Sequence, residues 1–400
     1  MKTSYKPIFS CAALLLLLTT ACDEKENSPI SDSKGTPGQV SSVEMTPVAG
    51  GAVVNYIIPD DEDVLGVKAV YTMSNGKQVE RQASFYDNSI TLDGFIDEET
   101  HSAKLYTFNR AMQLSQPVEI SFIPLESALS KACKSMHIVR DFGGAQFSWK
   151  NEDRGQLNLE LIATDSIGRL SAMRVITTQS ADGLQTLHGY NTDPRWFCAL
   201  FRDNFGNVSD TIFPTDAAGN RIQLSPLYEE KIDKKLMSIM LLNTDEPFSR
   251  EGMDAYLIDD DLNTYGHTKY TEALPAAVTI DLGQEVKVSR IVVNAREYGG
   301  SYYSWGNPRE FDLYSCSQKP SQTGDWSEWN EIMHCIVVKP SGMTGQDTDE
   351  DMEAGRNGAE FPLPLEADPT RYLRLNITRI WTNNQFCHIA EITVYGDPNI

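Results

Sequence analysis

After Leu18 the sequence has no apolar run long enough to cross a bilayer, which takes roughly 20 residues. Membrane-spanning helices beyond the first segment are therefore excluded. The chain has only seven cysteines and no CxxC pair, which argues against a zinc ribbon and against a dense disulfide scaffold. GxSxG, HExxH, GxGxxG and P-loop patterns are all missing. The six histidines, at 101, 137, 188, 267, 334 and 388, lack metal-ligand spacing. Positive charge is scarce as well: 34 Lys+Arg stand against 56 Asp+Glu, a formal charge of −22. Such a surface repels phosphate backbones, so nucleic acid is a poor partner, while neutral ligands and cations stay open.

What is present begins with Lys2 and Lys6, an apolar run from Ile8 to Leu18, and Thr19-Thr20-Ala21-Cys22. A basic start, a short apolar core and small residues at a cleavage point predict a secretory signal over 1–22. Residues 23–39, rich in Ser, Pro and Gly from Asn27 onward, read as a flexible tether.

From Val40 the pattern is short alternating runs broken by turns, with Asn75-Gly76 as a hairpin signal and Asp60 to Asp63 as an acidic loop. This predicts a small antiparallel sandwich over 40–126. Gly50-Gly51-Ala52-Val53-Val54-Asn55-Tyr56 is matched by Gly143-Gly144-Ala145-Gln146-Phe147-Ser148-Trp149. The same spacing relates Phe108-Asn109-Arg110 to Phe201-Arg202-Asp203, so a second copy of the module is expected over 127–224. Both copies resemble fibronectin type III or immunoglobulin-like modules, with Tyr56 and Trp149 as core aromatics. Ser225 to Leu241 reads as a linker or brief helix, with strand not excluded.

Residues 242–400 carry the richest signals. Val278 to Leu282 and Tyr372 to Asn376 alternate apolar with polar residues, which predicts sheets with one wet face and a third sandwich. The overall fold class is thus all-β. Of the five cysteines that follow the signal segment, at 133, 198, 316, 335 and 387, Cys316 and Cys335 either pair or stay buried as free thiols, the commoner fate. Adjacent aspartates at 259, 260 and 261 on one loop do not suit glycoside hydrolysis, which needs two carboxyls facing each other across a sugar. The acidic stretch Asp347-x-Asp349-x-Asp351 fails as an EF-hand, since Met352 and Gly358 stand where glycine and glutamate are needed, and it reads as a solvated loop.

An ordered set of motifs spans this region: Ile258-Asp259-x-Asp261-x-x-Thr264, Ile280-Asp281-Leu282-Gly283, Arg290-Ile291, Pro308-Arg309-Glu310-Phe311, Trp326-Ser327-Glu328-Trp329, Arg371-Tyr372-Leu373-Arg374 and Ala390 to Gly396. Together they resemble the discoidin domain (coagulation factor 5/8 type C), a galactose-binding-like jelly roll. The resemblance implies a structural calcium held by Asp259, Asp261, Thr264 and Glu391. Two departures stand out, Asp260 for the usual glycine and Gly266 for the usual tryptophan, and a plain solvated turn is the alternative. It also implies a ligand in loops at one end of the sandwich. His267, Arg296, Tyr302, Tyr303, Trp305, Asn307, Asn383 and Asn384 are then the expected contacts, with Tyr270 beside them and Trp381 read as packing at least as readily as binding.

Small-small-Cys followed by Asp23-Glu24-Lys25-Glu26 resembles the lipobox and surface-export signal of Bacteroidetes lipoproteins, with Thr19 in place of the usual leucine. That resemblance implies lipidation at Cys22 and a lipid anchor on the outer membrane facing the exterior; the tandem sandwiches followed by a discoidin-like domain behind such a signal also resemble Bacteroidetes surface lipoproteins encoded beside glycan-uptake systems, which implies transporter components as partners. The function it implies is non-catalytic carbohydrate binding. The alternative is a structural or protein-binding surface lipoprotein.

Overall fold

A computed structural model describes residues 35–400. The signal segment, Cys22 and the tether up to residue 34 lie outside the described residues. Gly35 to Gln39, expected within the flexible tether, are bonded to the first module: Thr107 Oγ1 donates to the Gly38 carbonyl at 2.6 Å and Gln39 Nε2 to Pro117 O at 3.1 Å.

The first module comprises β1 (Ser41–Val48), β2 (Gly51–Ile57), β3 (Val64–Thr72), β4 (Gln78–Ser84), β5 (Ser89–Asp93), β6 (His101–Asn109) and β7 (Val118–Phe122). Three strands, β1-β2-β5, face four, β4-β3-β6-β7. Asn75-Gly76 does close the β3–β4 hairpin, with Gly76 at φ 80°.

In the second module a helix, Ala128–Ser135, is capped by Ser127, whose hydroxyl accepts from Ser130 N at 3.1 Å. It is followed by β8 (His137–Asp141), β9 (Gly144–Lys150), β10 (Leu157–Thr164), β11 (Leu170–Thr178), β12 (Asp182–Leu187) and β13 (Phe197–Asp203). Sheets β12-β9-β8 and β11-β10-β13 pack face to face over Phe147, Trp149, Leu159, Leu161 and Phe201.

The sequence repeat has a steric basis. Gly50 and Gly143 stand at φ 66° and 63°, where a side chain is strained. A Cβ on the next glycine would lie 2.1 Å from Leu92 O in one copy and 1.7 Å from Leu187 O in the other. In each module the glycine N–H also receives the departing chain: Gly50 N donates to Leu125 O at 2.9 Å and Gly143 N to Leu227 O at 2.8 Å.

The segment 225–241 is therefore not a free linker. Leu227 completes the second module, while β14 (Glu230–Lys231) and β15 (Ser238–Met240) already belong to the C-terminal sheets. Strands this short carry no readable periodicity. The remaining strands are β16 (Glu251–Gly252), β17 (Gly266–His267), β18 (Ala276–Asn294), β19 (Pro308–Cys316), β20 (Asn330–Ile336), β21 (Ala359–Pro362), β22 (Thr370–Ile380), β23 (His388–Ile389) and β24 (Glu391–Asp397).

The long β18 builds both layers of the sandwich. Its first half pairs with β22 and β15, its second half with β24 and β21, and the register shifts between Asp281 and Val286. Gly283, at φ 79° and pressed against Leu236 O, allows that corner. Ile280, Ile291, Phe311, Leu373, Ile392 and Val394 fill the space between the layers. The five cysteines from 133 to 387 are free, so Cys316 and Cys335 are not joined.

Candidate binding site at the loop end of the C-terminal domain

The small sheet β16-β17-β23 and two loops, 296–307 and 381–387, close one end of the C-terminal sandwich. Their shape is set from within. Asn307 is fully buried; its Oδ1 accepts from Arg296 N and its Nδ2 donates to the Arg296 and Tyr302 carbonyls, all at 2.9 Å. His267 is buried as well, stacked on Phe386 at 4.9 Å, with Nδ1–H directed at the Thr268 carbonyl. Tyr302 packs on Gly355, where even a methyl group would lie 2.4 Å from the ring. These three expected contact residues thus shape the loops and do not face solvent.

What the loop end does present is an aromatic ledge. Tyr298 and Trp305 are each 46% exposed and meet edge to face at 5.5 Å. The Arg296 guanidinium lies 3.6 Å from the centre of the Tyr265 ring and 4.9 Å from that of Tyr298. Tyr270 is exposed nearby and bonds Glu251, which also receives the Tyr265 hydroxyl at 3.3 Å. Trp305 stands at φ 53°, an uncommon conformation for an aromatic residue, and Thr382 Oγ1 holds its carbonyl at 3.1 Å. Asn383 is exposed and Asn384 half-buried on the neighbouring loop. Sequence reasoning missed Tyr265 and Tyr298; the pair Gly299-Gly300 directly after Tyr298 was the available signal.

Tyr303 faces a second surface. It meets Trp381 edge to face at 5.2 Å, and burial pushes its hydroxyl pKa up to about 12. Arg309 covers Trp381 at 4.9 Å. Together with Ile336, Val338 and Met343 they line a groove of about 470 Å³.

His388 ties the loop end to the core. Its backbone N–H donates to Gly306 O at 3.0 Å, and its Nε2 accepts from Gly306 N at 3.2 Å. The neutral ring must then carry its proton on Nδ1, which has no partner. A second proton on Nε2 would point at the Gly306 N–H, and burial, with His267 and Arg296 nearby, pulls the pKa from 6.5 down to about 3. A base with a depressed folded pKa contributes stability that is complete above pH 6.5 and is lost as pH falls toward 3. Each unit of pH within that window should cost about 1.4 kcal/mol. Urea unfolding at pH 7 and pH 5 should therefore differ by about 2 kcal/mol more in the wild type than in His388→Gln; equal differences would contradict this.

The acidic loop is organised differently from a metal cage. Asp259 accepts from Asp261 N at 3.0 Å and from Thr264 Oγ1 at 2.9 Å, and Asp261 accepts from Asn263 N at 2.9 Å. Asp260 sits at φ 66°, the left-handed conformation in which glycine is at ease. Its N–H donates to Glu391 Oε2 at 2.5 Å. Glu391 does reach the loop, as expected, but Lys234 Nζ lies 2.6 Å from its Oε1 and 2.8 Å from Asp260 Oδ1. Burial raises the Glu391 pKa, and Lys234 offsets part of that rise. For Asp260 burial also acts upward, but hydrogen bonds from Lys231 and Lys234 outweigh it and the pKa falls. Among the described residues no three His, Cys, Asp or Glu side chains are placed to hold a metal. Asp259, Asp261, Thr264 and Glu391 as they stand do not fit a calcium ion.

The second acidic stretch is not the solvated loop expected of it. Asp349–Asn357 is a helix whose capping box joins Thr348 and Asp351, and buried Asp351 also accepts from Ser341 N at 2.9 Å.

Three family profiles match the chain, each described as a domain of unknown function: DUF4959 over residues 37–124, DUF5126 over 125–235 and DUF5000 over 258–396. No curated protein matches. Among solved structures, the chain is similar to a SusE-like protein at 27% identity, over 68% of this chain and 99% of that one, with a TM-score of 0.43. The CBM32-5 module of CpGH89 from Clostridium perfringens, in complex with GalNAc-β-1,3-galactose, matches 41% of this chain and 99% of its own at 19% identity and a TM-score of 0.30. The C-terminal domain of a chitobiase from Bacteroides fragilis matches 42% and 97% at 22% identity, also with a TM-score of 0.30. No described helix is long and apolar enough to cross a membrane.

Proposed function

We propose that the protein is a non-catalytic glycan-binding surface lipoprotein whose sugar contact is the ledge formed by Tyr298, Trp305 and Arg296. The observation that carries this reading is Trp305, half exposed and held at φ 53° by contacts from the adjacent loop. Backbone conformations of this sort cost free energy and persist where surroundings enforce them, commonly at ligand sites. The apolar face of a pyranose stacks on such rings, and Arg296, Asn383 and Asn384 offer hydrogen bonds to its hydroxyls. Lipidation at Cys22 would place the two sandwiches as spacers between the outer membrane and the binding end, beside components of a glycan transporter.

Titration calorimetry against a broad panel of polysaccharides tests the reading. Trp305→Ala should weaken binding by ~30-fold or more, the effect of losing a central aromatic anchor worth about 2 kcal/mol. Absence of binding across the panel would remove the proposal. A second reading, docking of a protein, draws on the exposed Ile336, Val338 and Met343 beside Trp381. Co-purification of an outer-membrane partner that survives Trp305→Ala and is lost on Val338→Asp would favour it.

A further inference from the structure

We infer that Lys234 supplies, from within the chain, the cation around which the loop Asp259 to Thr264 folds. The loop end of the C-terminal domain is thereby set by the segment that joins it to the second module, independently of any divalent metal.

Several observations converge on this. The Lys234 side chain is 7% exposed and that of Glu391 is 3% exposed, so the ammonium and the carboxylate are removed from water together. A buried charge of either sign is costly unless paired, and here the ammonium and the carboxylate are ion-paired at 2.6 Å. Both Glu391 oxygens are committed: Oε1 to Lys234 and to Ile392 N at 2.9 Å, Oε2 to Asp260 N. A metal ion seeking Glu391 would have to expel a buried ammonium and break those bonds. The second shared carboxylate is that of Asp260, which takes Lys234 at 2.8 Å and Lys231 at 2.5 Å. Glycine at this position would adopt φ 66° more easily but would offer the lysines nothing. Aspartate accepts the backbone cost and gains two ammonium partners.

The lysines are held by the junction itself. Lys231 lies in β14, Ile232 N donates to Val394 O at 2.9 Å, and the Leu236 carbonyl abuts Gly283. From the clamped loop the chain runs directly through Thr264 to Tyr265, on which Arg296 stacks. The clamp and the aromatic ledge are thus consecutive parts of one structure, whether or not the ledge binds a glycan.

The test uses the full-length protein and needs no ligand but calcium. Excess calcium chloride or EDTA should leave the thermal midpoint of the wild type unchanged within about 1 °C, because a ligand that does not bind the native state cannot stabilise it. Lys234→Met keeps the aliphatic stem and removes the charge; its midpoint should fall by roughly 5 °C or more. Lys234→Arg should recover part of that loss. Should Lys234→Met not fold, Asp260→Asn leaves Lys234 paired with Glu391 alone and should lower the midpoint by a smaller amount, again without calcium dependence. A wild-type midpoint that rises with calcium, or a Lys234→Met protein as stable as the wild type, would overturn the inference.

Discussion

Replacing Arg374 with methionine should destabilise the C-terminal domain by about 3–5 kcal/mol, the cost typical of leaving one member of a buried ion pair without the other. Arg374 and Asp245 are each 1% exposed and lie 2.5 Å apart. The guanidinium also donates to Gly324 O and to Thr244 Oγ1, both at 3.0 Å, and its face rests 3.8 Å from the Trp326 ring centre. In the variant the Asp245 carboxylate keeps Leu242 N, Thr279 Oγ1 and Thr244 Oγ1 as donors but no positive charge. The double variant Arg374→Met, Asp245→Leu should regain much of the loss, since an apolar pair of similar volume avoids the unpaired charge. Urea unfolding of the two variants checks both parts. A single variant within 1 kcal/mol of the wild type would show that the pair adds nothing, a small value by the same scale.

Arg374 also shows which parts of the fold could be read from residues alone. The motif Arg371 to Arg374 and the motif Trp326 to Trp329 come together here, because Trp326 and Trp329 both cover Arg374. Arg371, from the same motif, takes Asp281 in two hydrogen bonds, 2.8 and 3.0 Å, joining it to the motif Ile280 to Gly283. The ordered pieces that mark this domain in sequence are mostly its internal scaffold. That is why they foretell an all-β sandwich well and say little about which side chains the loop end presents. The module repeat was legible for a similar reason: Gly50-Gly51 and Gly143-Gly144 answer steric demands that other residues cannot meet.

The site was less legible because polarity does not report direction. His267 and Asn307 have the donors that a sugar needs, but they spend them on Thr268, Arg296 and Tyr302. Asp260 was singled out as an aspartate in a position that favours glycine, and its φ of 66° agrees with that concern. The partner that resolves it, Lys234, precedes it by a stretch in which β14 has two residues and β15 three. No periodicity survives at that length, and pairing with β24 and β18 is decided by tertiary contacts alone.

The same junction leads to the second large effect. Arg290 is mostly buried and bridges the segment after the second module to the C-terminal sheet: Nη2 lies 3.2 Å from Glu229 Oε2 and Nη1 lies 3.1 Å from Glu360 Oε2, while the guanidinium covers Tyr395 at 3.5 Å. His188, from the second module, joins through Nε2 to Glu360 Oε1 at 3.0 Å and through Nδ1 to the Phe142 carbonyl at 3.0 Å. Glu229 is 5% exposed, so without Arg290 its charge would rely on Ser289 and on His188 at 3.6 Å. Arg290→Met should therefore cost about 3 kcal/mol or more. Its second consequence distinguishes it from an ordinary core defect. With Arg290 gone, only the His188 contacts to Glu360 and Glu229 carry charge across the junction, and the second module and the C-terminal domain should unfold in separate calorimetric steps, whereas His188→Gln, which keeps Arg290 and Glu229 paired, should shift the transition without splitting it. If Arg290→Met unfolds in one step at the wild-type temperature, the junction is held by the backbone pairing of Leu227 and β14 and by His188 on Glu360, and Arg290 does not couple the two.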